Sequence, residues 1–557
     1  MANINFKGKE IVRNHHLTIP YHELVPDMKK GLSKKPSLND NLIIHGDNLL
    51  ALKALLPTYA GKVKCIYIDP PYNTGNEKWA YNDNVNSPMM KEWLGKVVDK
   101  DDLTRHDKWL CMMMPRLKLL RELLRDDGVI FVSIDDNEID NLRLLMDETF
   151  GEEGFIGNIT IKSTPGGRQS SKNLVQMGDY VVVYGKSATT TLSGLPLSEK
   201  HLDYYNREDE RGKFLTERLR QHGVAEKRED VPTLYFPIYY NKKENKISTQ
   251  KRAGYNIEVL PILPEGGDGR WIWSKNKVEK DQDFIEIRKV KRNGGYVYNA
   301  FFKKYLNEDM TSKLPSIWLE NDFRTEIGTK ELKEIFDSEK IFSYPKPVNT
   351  ILRLLTSATS DDDIILDSFA GSGTTAHATL ALNKEDGGNR KFILVEMEDY
   401  ADKITAERVR RVIKGVKTAK DENLKKGLGG SFSYFELGKP IDAERILKGK
   451  DLPTFAEMAR YIFYTATGEE FNEKKVNEKT GFIGESKEYQ VYLLYKPDME
   501  YLKSTALTLE RAETLGKFTG KKRLVFAPAK YLDQEHLERY HVDFAQLPFE
   551  IYQKQIK

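Results

Sequence analysis

The chain has 557 residues, too many for one compact core, so roughly two to four domains are expected. Hydrophobic residues make up 39% and charged residues 31%, which excludes a disordered chain and fits well-formed cores. Lys and Arg number 87 against 84 for Asp and Glu; the net charge of +3 excludes a uniformly basic coat, and any nucleic-acid surface has to come from local clustering.

Two cysteines occur, Cys65 and Cys111, both in apolar runs, so a disulfide framework or structural zinc site is not expected and a reducing interior fits. The N-terminus lacks an apolar signal core, and no segment approaches the ~18 apolar residues of a membrane span. A cytoplasmic protein with no membrane partner is the expectation.

In chain order, residues 1–40 are polar, are interrupted by Pro26 and Pro36, and predict a loosely structured arm. From 41 to 185 strands alternate with helices: "LIIHGD" and "KCIYID" predict strands, and "NLLALKALL" a helix between them. "DKWLCMMMPRLKLLRELLRDDG" predicts a helix stopped near Gly128, followed by the strand "VIFVSID". This alternation implies a parallel sheet, with "DYVVVYGK" as an antiparallel edge. Between 186 and 335 the alternation breaks down, and basic residues interleave with aromatics, among them Lys289, Lys291, Arg292, Tyr296 and Phe301. Such a run suits phosphate contacts and stacking, although a solvated charged face is its plainer reading. From 336 to 440 the pattern of strand and helix returns. Residues 441–557 start a new unit, in which Thr454 and Glu457 have capping-box spacing.

"ILDSFAGSGTTAHA" is a strand, a glycine-rich turn and a helix start. Glycines let the backbone approach a ligand, and the helix N-terminus attracts a negative group. No Lys follows the last glycine, so the turn lacks the cation of a phosphate-binding loop. Instead the next strand ends at Glu396, placed to accept the hydroxyls of a ribose. A nucleoside without phosphates suits S-adenosylmethionine, whose anionic group is a carboxylate. Taken alone, Glu396 reads equally well as a solvated strand-end acid. Asp47, at another strand end, is placed for the adenine amino group of such a cofactor. His45 reads as structural, His15 and His16 lack a third ligand, and no metal is assigned.

The strand "KCIYID" runs into Pro70, Pro71 and Tyr72. Two prolines fix the backbone and remove two N–H donors, so the strand end presents only acceptors, the Asp69 carboxylate and the Pro70 carbonyl. That surface suits an exocyclic amine with two N–H donors. Drawing both hydrogens aside frees the nitrogen lone pair to attack a sulfonium methyl, by positioning and electrostatics. Tyr72 can stack on a base flipped out of its duplex.

With these residues the sequence resembles the amino-group DNA methyltransferases. "DPPY" resembles their catalytic motif and "DSFAGSGTT" their cofactor motif, in the permuted β-class order. "DPPYNTG", "DGVIFVSIDD", "GRWIWSKNK", "KLPSIWLENDF", "YPKPVNTILRLL" and "GGNRKFILVE" further resemble the modification (Mod) subunits of Type III restriction systems. The resemblance implies a Rossmann-like α/β methyltransferase sheet, circularly permuted. It implies a first part at 41–185, a target-recognition domain at 186–335, a second part at 336–440 and a C-terminal α+β domain at 441–557. It implies catalytic roles for Asp69, Pro70, Pro71 and Tyr72. Cofactor contacts are implied for Asp47, Lys346, Pro347, Asp367, Phe369, Ala370, Gly371, Ser372, Gly373, Thr374 and Glu396. An Asp at the first catalytic position goes mostly with adenine N6. Double-stranded DNA, a second copy of the chain in a homodimer and a restriction (Res) helicase-nuclease subunit are the implied partners. Where relatives often carry His-Glu before a tyrosine, this chain has "VQMGDY", so no role is carried onto Met177, Gly178 or Asp179. An RNA or protein-glutamine methyltransferase and a catalytically silent DNA-binding module are the rival readings.

Overall fold

The structure, a computed structural model, describes residues 4–74, 104–167, 173–292, 295–307, 310–337, 341–441, 446, 449, 451–515 and 518–547. The first strands are β1 (Tyr21–Pro26), β2 (Leu42–His45), β3 (Val63–Ile68), β4 (Leu124–Ile134), β5 (Phe155–Ile161) and β6 (Asp179–Gly185). A separate stretch then supplies β7 (Leu195–Pro196), β8 (Arg207–Asp209), β9 (Gly212–Arg218), β10 (Ile238–Asn241), β11 (Lys246–Ser248) and β12 (Ile257–Val259). It ends with β13 (Ile285–Arg292), β14 (Gly295–Tyr305) and β15 (Thr311–Ser312). After β16 (Ile317–Trp318) come β17 (Ile364–Asp367), β18 (Lys391–Glu396) and β19 (Ser433–Ile441). The last strands are β20 (Phe482–Glu485), β21 (Tyr489–Leu493), β22 (Lys522–Ala527) and β23 (Val542–Gln546).

One ten-stranded sheet runs β1-β19-β2-β18-β17-β3-β4-β6-β5-β16. Its centre, from β19 to β4, is parallel. The central strands are near-continuous apolar runs because helices cover both faces. In β3, Ile66 and Ile68 pack with Leu52, Leu55 and Leu120 on one face, while Cys65 and Tyr67 pack with Ile351 and Leu355 on the other. Each such aliphatic side chain contributes roughly 1.5–3 kcal/mol on burial. β17 pairs in parallel with both β3 and β18, so two strands distant in sequence become neighbours.

Residues 194–313 form one compact unit, and residues 1–193 and 314–557 form a larger one. The smaller unit holds a three-stranded sheet (β11-β10-β12), a four-stranded one (β13-β14-β9-β8) and the β15-β7 pair, with Trp271, Leu219 and Ile238 in its core. It is narrower than the expected 186–335. Ile317–Trp318 pairs with β5 in the main sheet, and a helix spans Thr325–Phe336.

Three expectations are corrected. The N-terminal residues are not a loose arm: β1 pairs antiparallel with β19, burying Tyr21 while its polar neighbours stay outside, as an edge strand permits. The helix expected to stop near Gly128 ends at Leu123, and β4 begins at once. β6 is antiparallel but is not the edge, since β5 and then β16 lie beyond it. The described residues after 441 have a sheet and a core of their own, around Leu507 and Val525, and also share the main core. The helix Phe455–Thr467, opened by the Thr454–Glu457 capping box, buries Met458, Ala459 and Ile462 in the same core as Leu52 and Leu55. Tyr461 and Tyr21 lie 4.7 Å apart between ring centroids, and Phe471 N–H donates to the Pro57 carbonyl at 3.2 Å.

Candidate active site

Asp69 follows directly on β3, and Asp367 ends the neighbouring β17, with Ile66 paired to Leu366. Both lie at the carboxyl edge of a parallel sheet, where ligands gather. Beyond Asp69 the chain is held at two points. The indole N–H of the buried Trp109 donates to the Pro71 carbonyl at 2.8 Å. The buried Asn73, left-handed at φ 55°, donates from Nδ2 to the Glu138 carboxylate and, at 3.2 Å, to the Arg105 carbonyl. Glu138 also accepts from Asn141 Nδ2 at 2.7 Å and lies 2.8 Å from His106 Nδ1. Ahead of the anchors, the Asp69 side chain is partly exposed, and among the described residues nothing donates to the Pro70 carbonyl. Gly75, the last residue of "DPPYNTG", lies outside the described residues.

Lys346 joins this turn to the glycine turn. Its ammonium donates to both Asp69 oxygens at 2.7 Å and to the Tyr72 hydroxyl at 2.8 Å, and it lies 4.8 Å from the centre of the Tyr72 ring. Its carbonyl accepts from Thr374 Oγ1 at 3.2 Å. Burial, reinforced by the Asp69 carboxylate, holds the Tyr72 hydroxyl well above the ordinary phenol range. Pro347 opens the helix Val348–Ala358, fixing the direction from which Lys346 reaches in.

The glycine turn is built from below. Asp367 is buried; one oxygen accepts from Phe369 N–H at 3.0 Å and the other from Thr375 Oγ1 at 2.5 Å. Burial raises its pKa to about 7. Asp367 thus ties the turn together from beneath. Gly371 is left-handed at φ 53°, and a Cβ there would lie 3.3 Å from the Phe342 ring. Glu396, fully buried, accepts from Gly371 N–H at 2.7 Å and from Glu398 N–H at 3.0 Å. Thr405 Oγ1 donates to the Gly371 carbonyl at 2.6 Å. Ala370 N–H donates to the Val395 carbonyl at 3.1 Å, joining the turn to β18. Behind Ser372 and Thr374 the buried Arg408 donates to their hydroxyls at 3.0 and 2.8 Å. Burial lowers its pKa to about 10 and keeps the adjacent His377 neutral.

Asp69, Pro70, Tyr72, Lys346, Ser372, Thr374 and Glu396 converge on the ends of β3, β17 and β18. Asp47 follows β2, the strand that pairs with β18, and its Oδ1 caps the helix Asn48–Tyr59 by accepting from Leu49 and Leu50 N–H at 2.8 and 3.1 Å. Trp109, Asn73, Glu138, Phe342, Thr405 and Arg408 were not expected. Of these, Asn73 alone carries a local signal, since Asn tolerates the left-handed region. Among the described residues no group of three or more His, Cys, Asp or Glu is arranged to hold a metal ion.

The profile of the DNA methylase family, covering its N6 and N4 amino-methylating members, matches residues 63–407. The chain belongs to this family. This methylase is 37% identical over 376 residues to the Type II methyltransferase M.KpnI of Klebsiella pneumoniae, covering 67% of this chain and 84% of that protein. It is 32% identical over 477 residues to the Type III restriction-modification enzyme EcoPI Mod subunit of Escherichia phage P1, covering 80% and 73%. Among solved structures it is similar to PvuII DNA methyltransferase (cytosine-N4-specific), with a TM-score of 0.33 at 12% identity, covering 67% of this chain and 87% of that one.

The methyl donor of this DNA methylase family is S-adenosylmethionine, and the turn has room for its carboxylate. Gly373, left-handed at φ 78°, stands before the helix Thr374–Asp386 with no side-chain cap, and a helix N-terminus of this kind suits an anionic group. Glu396 ends β18 beside this turn, with one carboxylate oxygen on Gly371 N–H and the other on Glu398 N–H.

Proposed function

We propose that this methylase transfers a methyl group to the N6 amine of adenine in double-stranded DNA, as the modification and specificity subunit of a Type III restriction-modification system. The observation that carries the reading is the acceptor-only end of β3, next to the glycine turn. Asp69 accepts one amine hydrogen and the Pro70 carbonyl the other, which localises the lone pair on nitrogen. Tyr72 stacks on a base flipped from the helix. Lys346 holds both Asp69 oxygens, so its ammonium gives way as the amine enters. When bound, S-adenosylmethionine supplies a sulfonium methyl whose C–S bond breaks as the N–C bond forms. The surplus amine proton leaves through the Asp69 carboxylate. Gly371, Ser372, Gly373, Thr374 and Glu396 hold the donor, with Asp367, Phe369, Ala370 and Pro347 shaping the turn and its approach, and Asp47 beside them at the next strand end.

The insertion expected at 186–335, whose compact part is 194–313, carries sequence recognition. Two copies act together, one recognising DNA while the other receives the adenine, and a Res helicase-nuclease joins them. Similarity to proteins named as Type III Mod subunits supports the place in a restriction-modification system. Incubation of plasmid DNA with the purified protein and S-adenosylmethionine, followed by mapping of methylated bases, tests it. N6-methyladenine at one recurring sequence is expected. N4-methylcytosine, or methylation of RNA alone, would refute the substrate assignment.

A further inference from the structure

The β13–β14 hairpin has two halves of different character. Near the core, Ile285, Ile287, Ala300 and Phe302 face inward, and the cations around them are matched by acids. Arg207 and Arg288 lie 2.6 and 2.8 Å from Glu286, Lys303 lies 2.6 Å from Asp209, and Lys304 lies 3.3 Å from Glu217. Farther out, β9 pairs with β14 only at Phe301–Tyr305, so Lys289–Arg292 and Tyr296–Asn299 form a two-stranded ribbon. Lys289 stands opposite Tyr298 and Lys291 opposite Tyr296, on the face that continues outward from Ile287 and Ala300.

Neither Lys289 nor Lys291 meets a carboxylate among the described residues, and both are exposed. Lys289 Nζ lies 4.9 Å from the centre of the Tyr296 ring, which is itself 64% exposed. No acid occurs between Glu286 and Glu308. Phe301 and Arg292, grouped with these residues in the sequence, belong to the opposite face, where Phe301 packs under the Arg288 guanidinium at 4.7 Å.

A ribbon of two strands is marginal in water on its own, and unmatched cations beside an exposed ring call for a polyanion with flat, hydrogen-bonding edges. The major groove of B-DNA, about 12 Å wide, admits a two-stranded ribbon, whereas the deep groove of A-form RNA is too narrow. We propose that the outer half of β13–β14 enters the major groove, with Lys289 and Lys291 on flanking phosphates and Tyr296 against base edges. The inference rests on the DNA methyltransferase reading.

The test uses the full chain and a duplex carrying the site mapped from wild-type methylation. In K289A/K291A, affinity for the duplex should fall at least ~10-fold, and the slope of log affinity against log salt should shrink by about 1.8 (about 0.9 per phosphate). S-adenosylmethionine binding by calorimetry should be unchanged, which also reports folding. Y296A should alter the distribution of methylated sequences and leave the salt slope alone. An unchanged slope and unchanged affinity in a double variant that binds cofactor normally would overturn the ribbon while leaving the methyltransferase reading intact. An equal loss of affinity for the same sequence as duplex RNA would overturn the groove assignment. A wild-type protein that methylates no duplex would overturn the underlying reading, and the ribbon with it.

Discussion

Two parallel arrangements in this molecule end very differently. In the main sheet β3, β17 and β18 deliver Asp69, a left-handed glycine turn and a buried Glu396 to their carboxyl ends. In the C-terminal sheet β21, β22 and β23 also run parallel, with apolar strands and flanking helices, yet they end in Leu493, Ala527 and Gln546. The geometry is shared and the chemistry is not. Ligand sites are grafted onto strand ends, and the fold only supplies the places.

The largest effect should come from removing the grafted acid. Asp69→Ala should lower methyl transfer by at least about 10²–10³-fold, on the scale of losing one preorganised charge partner, with cofactor affinity preserved. Gln546→Ala, at the end of β23, should leave turnover within about twofold, inside the range of surface substitutions. Radiolabelled methyl transfer compares the two, and similar losses would abolish the contrast.

Next in size is the structural role of the C-terminal part. Met458→Ala should destabilise the protein by about 2–5 kcal/mol, because Met458 is buried in the core that also holds Leu52 and Leu55. Thermal unfolding should show one transition for both sheets. If an unchanged main transition were accompanied by early melting of the C-terminal sheet alone, the shared core would be unimportant.

Gly371→Val probes the turn. A branched residue at φ 53° costs about 1–2 kcal/mol, and its Cβ meets the Phe342 ring. S-adenosylmethionine affinity should fall about tenfold or more, measured calorimetrically; undiminished affinity in a folded variant would make the turn purely structural.

The last effect concerns pH. Asp367 has a folded pKa of about 7 against an ordinary value of 3.8. Between these values the folded chain keeps a proton that the unfolded chain has released, so stability falls as pH rises from about 4 to 7 and the loss is complete above that. Asp367→Asn has no such proton. The wild-type unfolding free energy, measured relative to the variant, should therefore decline across this window, and a flat difference would place Asp367 in an ordinary environment.

Much of this arrangement was legible in the sequence. β2, β3, β17 and β18 are apolar runs that end in acids or glycines, and such runs have few other places to go in a folded chain. β1 was not legible, because an edge strand such as "YHELVP" keeps polar side chains outward and lacks a continuous apolar signal. β5, "FIGNITI", has polar and small residues between its buried ones and is short. Arg408 sits in "ERVRRVIK", which reads as a solvated helical face, and only the packing of that helix behind Ser372 turns the guanidinium inward. Trp109 and Pro71 are joined by a hydrogen bond that no local pattern encodes. The apolar face of "TFAEMARYIF" was visible, but not the partner that covers it.

The position of β17 between β3 and β18 has a consequence for biosynthesis. β3 is complete at Ile68, but its neighbour β17 begins at Ile364, about 300 residues later. At roughly 5–20 residues per second, a ribosome takes roughly 15–60 s to deliver it. Throughout that interval β3 has an unpaired edge, while residues 194–313 have all their own strand partners within reach and can fold first. The newborn chain thus acquires its insertion before its catalytic centre, and truncated translation products lack the glycine strand altogether.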